Sequence, residues 1–303
     1  MAKILCFPFG AADALAHVAS CIAVGSELQA RGHDVTVAHG EDLTSLIESA
    51  GLPVVPATPL ADLRRIRGNL GGIYASPEEL LSHVRDDGEL IDRLGPDVVL
   101  IDHRASALIA AAARDVPEVS VMHFLRTSQF RPVPIAQRLR ENRHPVRLVA
   151  AVRRSIPAVR TAPALFAEVR ARVGLPPVVH RSDATHVVCT TTPLLDPTVG
   201  LPDNWRYVGP ITWSSPGQDT EPVTRGSRPL VYVTQGSTGS PDALRRTVAE
   251  LAREPVDVLV TTGLMIDPRE LEALAPNVRA VEYLPGRACF EAADVAVVHG
   301  GHL

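Results

Sequence analysis

Short apolar runs alternate with longer stretches of helical spacing along most of the chain. Lys3 to Phe7 predicts a buried strand that ends in a P-F-G-A loop. Ala14 to Arg31 carries Leu15, Val18, Ile22 and Leu28 at helical positions and closes on Gly32, a natural C-cap. Asp34 to Ala38 is the next strand, so the chain opens as a βαβ unit with a parallel sheet. Leu43 to Ala50 predicts a short helix and Pro53 to Val55 a short strand. Ala61 to Gly72 is polar and glycine-bearing, and reads as a mobile loop. Pro77 to Leu94 is helical, Asp97 to Ile101 is an apolar strand ending at Asp102, Ala105 to Arg114 is helical, and Glu118 to Met122 is a strand.

From Arg126 to Arg172 no strand pattern is visible, prolines recur and arginines crowd the segment. A solvated helix face is the favoured reading, ahead of a patch for phosphate or an acidic partner. Thr185 to Thr190 resumes as a strand, and Tyr207-Val208-Gly209-Pro210 precedes a break. Residues 212–228 hold Ser, Pro, Gly, Thr and acidic residues with little to bury, and read as a linker.

The alternation then restarts. Strands are expected at Leu230–Thr234, Val256–Val260, Val278–Val281 and Val295–Val298, with helices at Asp242–Arg253, Pro268–Leu274 and Arg287–Ala292. The fold class is α/β, with two tandem Rossmann-like doubly wound domains. Residues 1–211 form the first, 212–228 the linker and 229–303 the second, which is expected to be incomplete.

Composition changes this picture little. A chain of 303 residues has room for two domains of about 150 each. Hydrophobic residues at 46% and charged residues at 21% fit a globular protein rather than a disordered one. A net charge of −4 offers no overall attraction to nucleic acid or anionic membrane. Lys3 is the sole lysine against many arginines, a bias that carries no functional message. Cys6, Cys21, Cys189 and Cys289 lack C-x-x-C spacing, which argues against structural zinc or a disulfide framework and fits reduced cytosol. No apolar run reaches the roughly 18 residues of a membrane span, and Pro8 and Gly10 interrupt the one stretch that mimics a signal peptide.

Three places carry candidate chemistry. Val295 to Val298 reads as a short buried strand that ends at His299-Gly300-Gly301. Glycines there let a backbone approach a ligand, and a helix following them would aim free N–H groups at an anion. Gly236-Ser237-Thr238-Gly239 lies between a strand and a helix, where small residues and hydroxyls suit a phosphate; an ordinary capped turn explains it equally well. His17 falls in the first turn of the first helix, and Asp102 ends a strand of the same sheet, so the two can meet at its carboxyl edge. An aspartate on one imidazole nitrogen fixes the tautomer and raises the basicity of the other. Taken alone, His17 is more readily a helix-end histidine satisfied by its neighbours than a base. The absence of G-x-G-x-x-G after the first strand and of G-x-x-x-x-G-K argues against Rossmann NAD binding and P-loop hydrolysis.

Several of these stretches together resemble the GT-B glycosyltransferases that use nucleotide-diphosphosugars, in particular bacterial enzymes acting on macrolides and other natural products. The resemblance rests on A-H-V-A-S…R-G-H-D-V-T-V-A-H-G (Ala16 to Gly40), Y-V-G-P (Tyr207 to Pro210) and V-Y-V-T-Q-G-S (Val231 to Ser237). N-V-R-A-V-E-Y-L-P (Asn277 to Pro285) and A-D-V-A-V-V-H-G-G (Ala293 to Gly301) complete it. It implies that His17 is the base for an acceptor hydroxyl and that Asp102 orients it. Transfer would be inverting, without metal, and with no cofactor beyond the nucleotide-sugar co-substrate. Gly236, Ser237, Thr238, His299, Gly300 and Gly301 would contact the diphosphate, and Tyr283 and Leu284 the nucleobase. The loops 61–72 and 126–160 would shape a pocket for a small hydrophobic acceptor.

Ala16, Ser20 and Gly286 depart from the family's glycine, proline and glutamine. The family continues past H-G-G with further elements that hold the donor, and the sequence ends at Leu303. The last strand is therefore expected to be an uncovered apolar edge that a second copy or another partner would shield. Two other readings share this fold: a non-catalytic remnant or accessory binding subunit, and a nucleotide-sugar epimerase.

Overall fold

The computed structural model describes residues 1–10, 15–40, 43–60, 74–122, 129, 164–177, 184–194, 197–198, 200–213, 223–236, 239–263 and 265–299. The loop expected at 61–72, nearly all of the 126–160 segment, Ser237, Thr238, Gly300, Gly301 and much of the expected linker lie outside them. The chain divides into two compact units, the first running to Trp213 and the second starting at Ser214.

The first unit is built on a seven-stranded parallel sheet of order β3-β2-β1-β4-β5-β6-β7. Its strands are β1 (Lys3–Phe7), β2 (Asp34–His39), β3 (Val54–Pro56), β4 (Val98–Asp102), β5 (Glu118–Met122), β6 (His186–Cys189) and β7 (Trp205–Tyr207). Its helices are α1 (Leu15–Ala30), α2 (Thr44–Ser49), α3 (Pro77–Leu94), α4 (Ala105–Ala112) and α5 (Ala164–Arg172). A strand covered on both faces must be apolar throughout, which is why β1 and β4 read as continuous runs. Ile4, Cys6, Val35, Val37, Leu100 and Val121 meet Val18, Cys21 and Ile22 of α1 in one buried cluster, on which Ile211 and Trp213 also pack.

Helix ends follow local chemistry. Gly32 sits at φ +85°, and the His33 N–H reaches back to the Leu28 carbonyl at 3.1 Å, closing α1. For α3, the Ser76 hydroxyl accepts from the Glu79 N–H, Pro77 occupies the first turn, and Gly95 ends the helix at φ +55°. The short strand β7 escapes the hydrophobic pattern, because only three residues pair and Arg206 stands in the middle. Its alternation is the available signal: Trp205 faces a cluster with Met122, Val187 and Cys189, while Arg206 is exposed.

The second unit has a four-stranded parallel sheet of order β10-β9-β8-β11. It comprises β8 (Leu230–Thr234), β9 (Asp257–Thr261), β10 (Val278–Val281) and β11 (Val295–Val298), with α6 (Pro241–Leu251), α7 (Pro268–Glu272) and α8 (Gly286–Ala292). Its own core joins Val231, Val233, Leu244, Val248, Val258, Val260 and Leu271. The reading of β11 as buried is corrected here. The strand pairs with β8 on one side only, and Val295 and Val298 are 55% and 47% exposed. An apolar run alone does not say whether neighbouring elements cover it. Among the described residues, no helix is long and apolar enough to cross a membrane.

Candidate active site

In each sheet the strand order reverses direction once, between β1 and β4 in the first and between β8 and β11 in the second. Ligands of open parallel sheets bind at the carboxyl ends of the strands flanking such a reversal. His17 and Asp102 lie at the first of these points, and Gly236 and His299 at the second.

At the first, β1 delivers the chain towards α1, and β4 ends level with it, Phe7 pairing with Ile101. His17 rises from the first turn of α1, and its Nδ1 lies 2.7 Å from Asp102 Oδ1. The Asp102 side chain is 5% exposed and that of His17 32%. Placed this way, an ionised Asp102 accepts the Nδ1 proton and leaves Nε2 as the lone-pair nitrogen. The His17 ring is held edge-on by Phe9 at 5.3 Å between centroids and by His103 at 4.8 Å. His103 Nε2 is 3.8 Å from the same Asp102 oxygen. The His17, Asp102 and His103 ligand atoms all lie within 4.8 Å of one another.

His103 has a left-handed backbone, φ +59°, so the chain turns sharply between Asp102 and α4. A buried network anchors the far side of that turn. Arg104, fully buried, donates from Nη2 to Asp87 Oδ1 at 2.7 Å and from Nε to Oδ2 at 2.9 Å. Nη2 also donates to the Thr58 carbonyl at 2.8 Å. Ser106 Oγ donates to Asp87 Oδ2 at 2.6 Å, and Tyr74 OH donates to Ser106 Oγ at 3.1 Å. Burial pulls the guanidinium pKa down, and the Asp87 carboxylate beside it outweighs this and holds it above its ordinary value. Burial also pushes the Tyr74 phenol up.

Sequence reading missed this network, though a signal existed. Leu80, Val84, Asp87 and Ile91 fall on one helical stripe of α3 and are all buried. A carboxylate on a core stripe requires a buried partner.

At the second reversal, Gly236 follows β8 and His299 follows β11. Gly236 has φ +60°, and a Cβ added to it would come within 2.9 Å of His299 Cε1. The two candidates are thus neighbours, with the imidazole lying over the glycine backbone. The Gly236 N–H donates to Thr234 Oγ1 at 3.2 Å, which shapes the start of the loop. Tyr283 and Leu284 follow β10, the opposite edge strand from β11. Tyr283 is exposed, whereas Leu284 packs on Leu230, Tyr232, Leu259 and Cys289. A shallow pocket lined by Val223, Leu230, Asp257 and Asn277 opens at the amino ends of these strands, away from Gly236 and His299. All four cysteines are free and buried, and burial pushes the Cys6 thiol up to about 12.

Residues 18–143 match the Glycosyltransferase Family 4 model. A rhamnosyltransferase of PGL/p-HBAD biosynthesis from Mycobacterium bovis is 30% identical over 259 residues, covering 79% of this chain. The chain is related to the glycosyltransferases and has the GT-B fold. The fold is carried by the spinosyn forosaminyltransferase SpnP, whose structure matches 99% of this chain with a TM-score of 0.68 at 19% identity. This GT-B chain spans 55% of the length of the rhamnosyltransferase and 76% of SpnP. A further relative from Mycobacterium bovis, described as an inactive PGL/p-HBAD biosynthesis glycosyltransferase, is 25% identical over 266 residues, 80% of this chain and 70% of its own.

Proposed function

We propose that this chain takes part in transferring a sugar from a nucleotide-diphosphosugar to a hydroxyl of a small hydrophobic acceptor of the natural-product or glycolipid class. The observation that supports this most directly is the 2.7 Å His17–Asp102 contact at the carboxyl edge of the first sheet. In this reading Asp102 holds His17 Nδ1–H, and Nε2 removes the proton from the acceptor hydroxyl as its oxygen attacks the anomeric carbon. The nucleoside diphosphate leaves from the opposite face, so configuration inverts, and the step itself requires no metal. A positioned base of this kind contributes about 10²–10⁴-fold.

The donor contacts belong to the second unit. The glycine backbone at 236, the His299 imidazole and the neighbouring Ser237, Thr238, Gly300 and Gly301 would take the diphosphate. Tyr283 and Leu284, three strand spacings or about 14 Å from β11, would lie against the base. A non-catalytic binding role is the second reading, favoured by the existence of a relative described as inactive.

Purified protein is incubated with UDP- and dTDP-sugars and a panel of hydroxylated aglycones, and released nucleoside diphosphate and product are followed. Acceptor-dependent release is expected, and His17→Ala abolishes it while leaving the melting curve in place. Full transfer by His17→Ala overturns the assigned base. Absence of thermal stabilisation at millimolar donor favours the binding role, and release of epimerised sugar without acceptor favours the epimerase.

A further inference from the structure

We propose that His17, Asp102 and His103 form a binding site for one divalent transition-metal ion of the zinc class, and that the ion and the His17–Asp102 hydrogen bond exclude one another. Two imidazoles and one carboxylate are a donor set suited to zinc, cobalt or nickel, and three protein ligands leave a further position open to water. The geometry is close to what such an ion requires. Donor atoms on a tetrahedral zinc stand about 3.3–3.6 Å apart, given bonds of about 2.0–2.2 Å. Asp102 Oδ1 lies 2.7 Å from His17 Nδ1 and 3.8 Å from His103 Nε2, on either side of that range, and all three atoms fall within 4.8 Å.

His17 is the accessible member of the three. The His17 side chain is one-third exposed, whereas those of Asp102 and His103 are 5% and 9% exposed. A left-handed turn at His103 sets its ring against that of His17, and the Asp87–Arg104 pair anchors the next residue. Two of the three ligands are therefore held on a short, braced segment before any ion arrives. The four cysteines are all buried, and burial pushes the Cys6 and Cys21 thiols up, away from the thiolate that binds metal.

Binding has a defined proton balance. In the hydrogen-bonded state the neutral His17 ring carries its one proton on Nδ1, towards Asp102; for the metal to bond Nδ1 the ring changes tautomer, Nδ1 giving up that proton and Nε2 taking one up from solvent, with no net release. The loaded site can no longer hold the His17 tautomer through Asp102. If the transfer reading is right, the ion inhibits; if that reading fails, the binding itself is unaffected, since it requires neither donor nor acceptor.

The test is a titration of metal-free protein with Co²⁺ alone, read by visible absorption, with Zn²⁺ added afterwards as competitor. A single equivalent is expected, with visible bands of a low-coordinate, nitrogen- and oxygen-ligated ion and no thiolate charge-transfer band. His103→Asn keeps a residue tolerant of φ +59° and removes the imidazole; His17→Gln removes the other. Each is expected to weaken binding by at least about 10-fold, while His186→Gln, on the exposed start of β6, leaves it unchanged. Equal affinity and stoichiometry in His103→Asn and His17→Gln overturns the site, as does binding weaker than millimolar in the unaltered protein. Should His103→Asn melt early, His17→Gln alone decides.

Discussion

At the scale of single residues, two arrangements outweigh the rest. Asp87 and Arg104 are both fully buried, and each is the other's compensation for lost water. Arg104→Met strands a carboxylate in the core, and urea denaturation is expected to record a loss of about 3–5 kcal/mol. The double change Asp87→Leu with Arg104→Met is expected to cost less than either alone. A loss equal to the sum of the single changes would mean that the pair does not act as a unit. Gly236 is the second arrangement. Alanine there meets both a positive φ and the His299 ring, so the ring must move. Gly236→Ala is expected to weaken nucleoside diphosphate binding at least several-fold by calorimetry while lowering stability by only about 1 kcal/mol. Of the sequence-predicted pairs, His17 with Asp102 and Gly236 with His299 come together in space; Tyr283 and Leu284 end a different strand.

At the scale of elements, α3 carries a titratable feature that its amphipathic pattern conceals. His83 lies among its buried residues, edge-on to Tyr74 at 5.6 Å. Burial first, and then the Arg104 charge, hold its pKa below the ordinary 6.5. The unfolded chain therefore takes up a proton at His83 more readily than the folded one, and stability falls as pH drops below about 6.5. Thermal melts between pH 7.5 and 5.5 are expected to show this decline, and His83→Gln to flatten part of it. An unchanged slope in the variant would place the acid sensitivity elsewhere. The strands divide by the same logic of surroundings. Both faces of β1 and β4 are covered, whereas β11, with a similar apolar composition, stands exposed at an edge. Composition alone does not separate these cases, because burial depends on what neighbouring elements supply.

At the scale of the whole molecule, the two units have separate cores, one centred on β1 and α1 and the other on β8 and α6. Calorimetry is expected to resolve two transitions, and a nucleoside diphosphate to raise the one belonging to the second unit. At 100 times Kd the gain is about 2.7 kcal/mol; a single transition moved as a whole would show that the cores melt together. The sequence by itself determined the alternation of strand and helix and the parallel sheets. Those features follow from local periodicity and from glycine and proline chemistry, which act over a few residues. The tertiary structure alone decided that Asp102 Oδ1 meets His17 Nδ1 across 85 positions, that His103 turns its ring towards them, and that Asp87 finds Arg104. These are contacts between distant segments, and their distances arise only when the strand order brings the ends of β1 and β4 side by side.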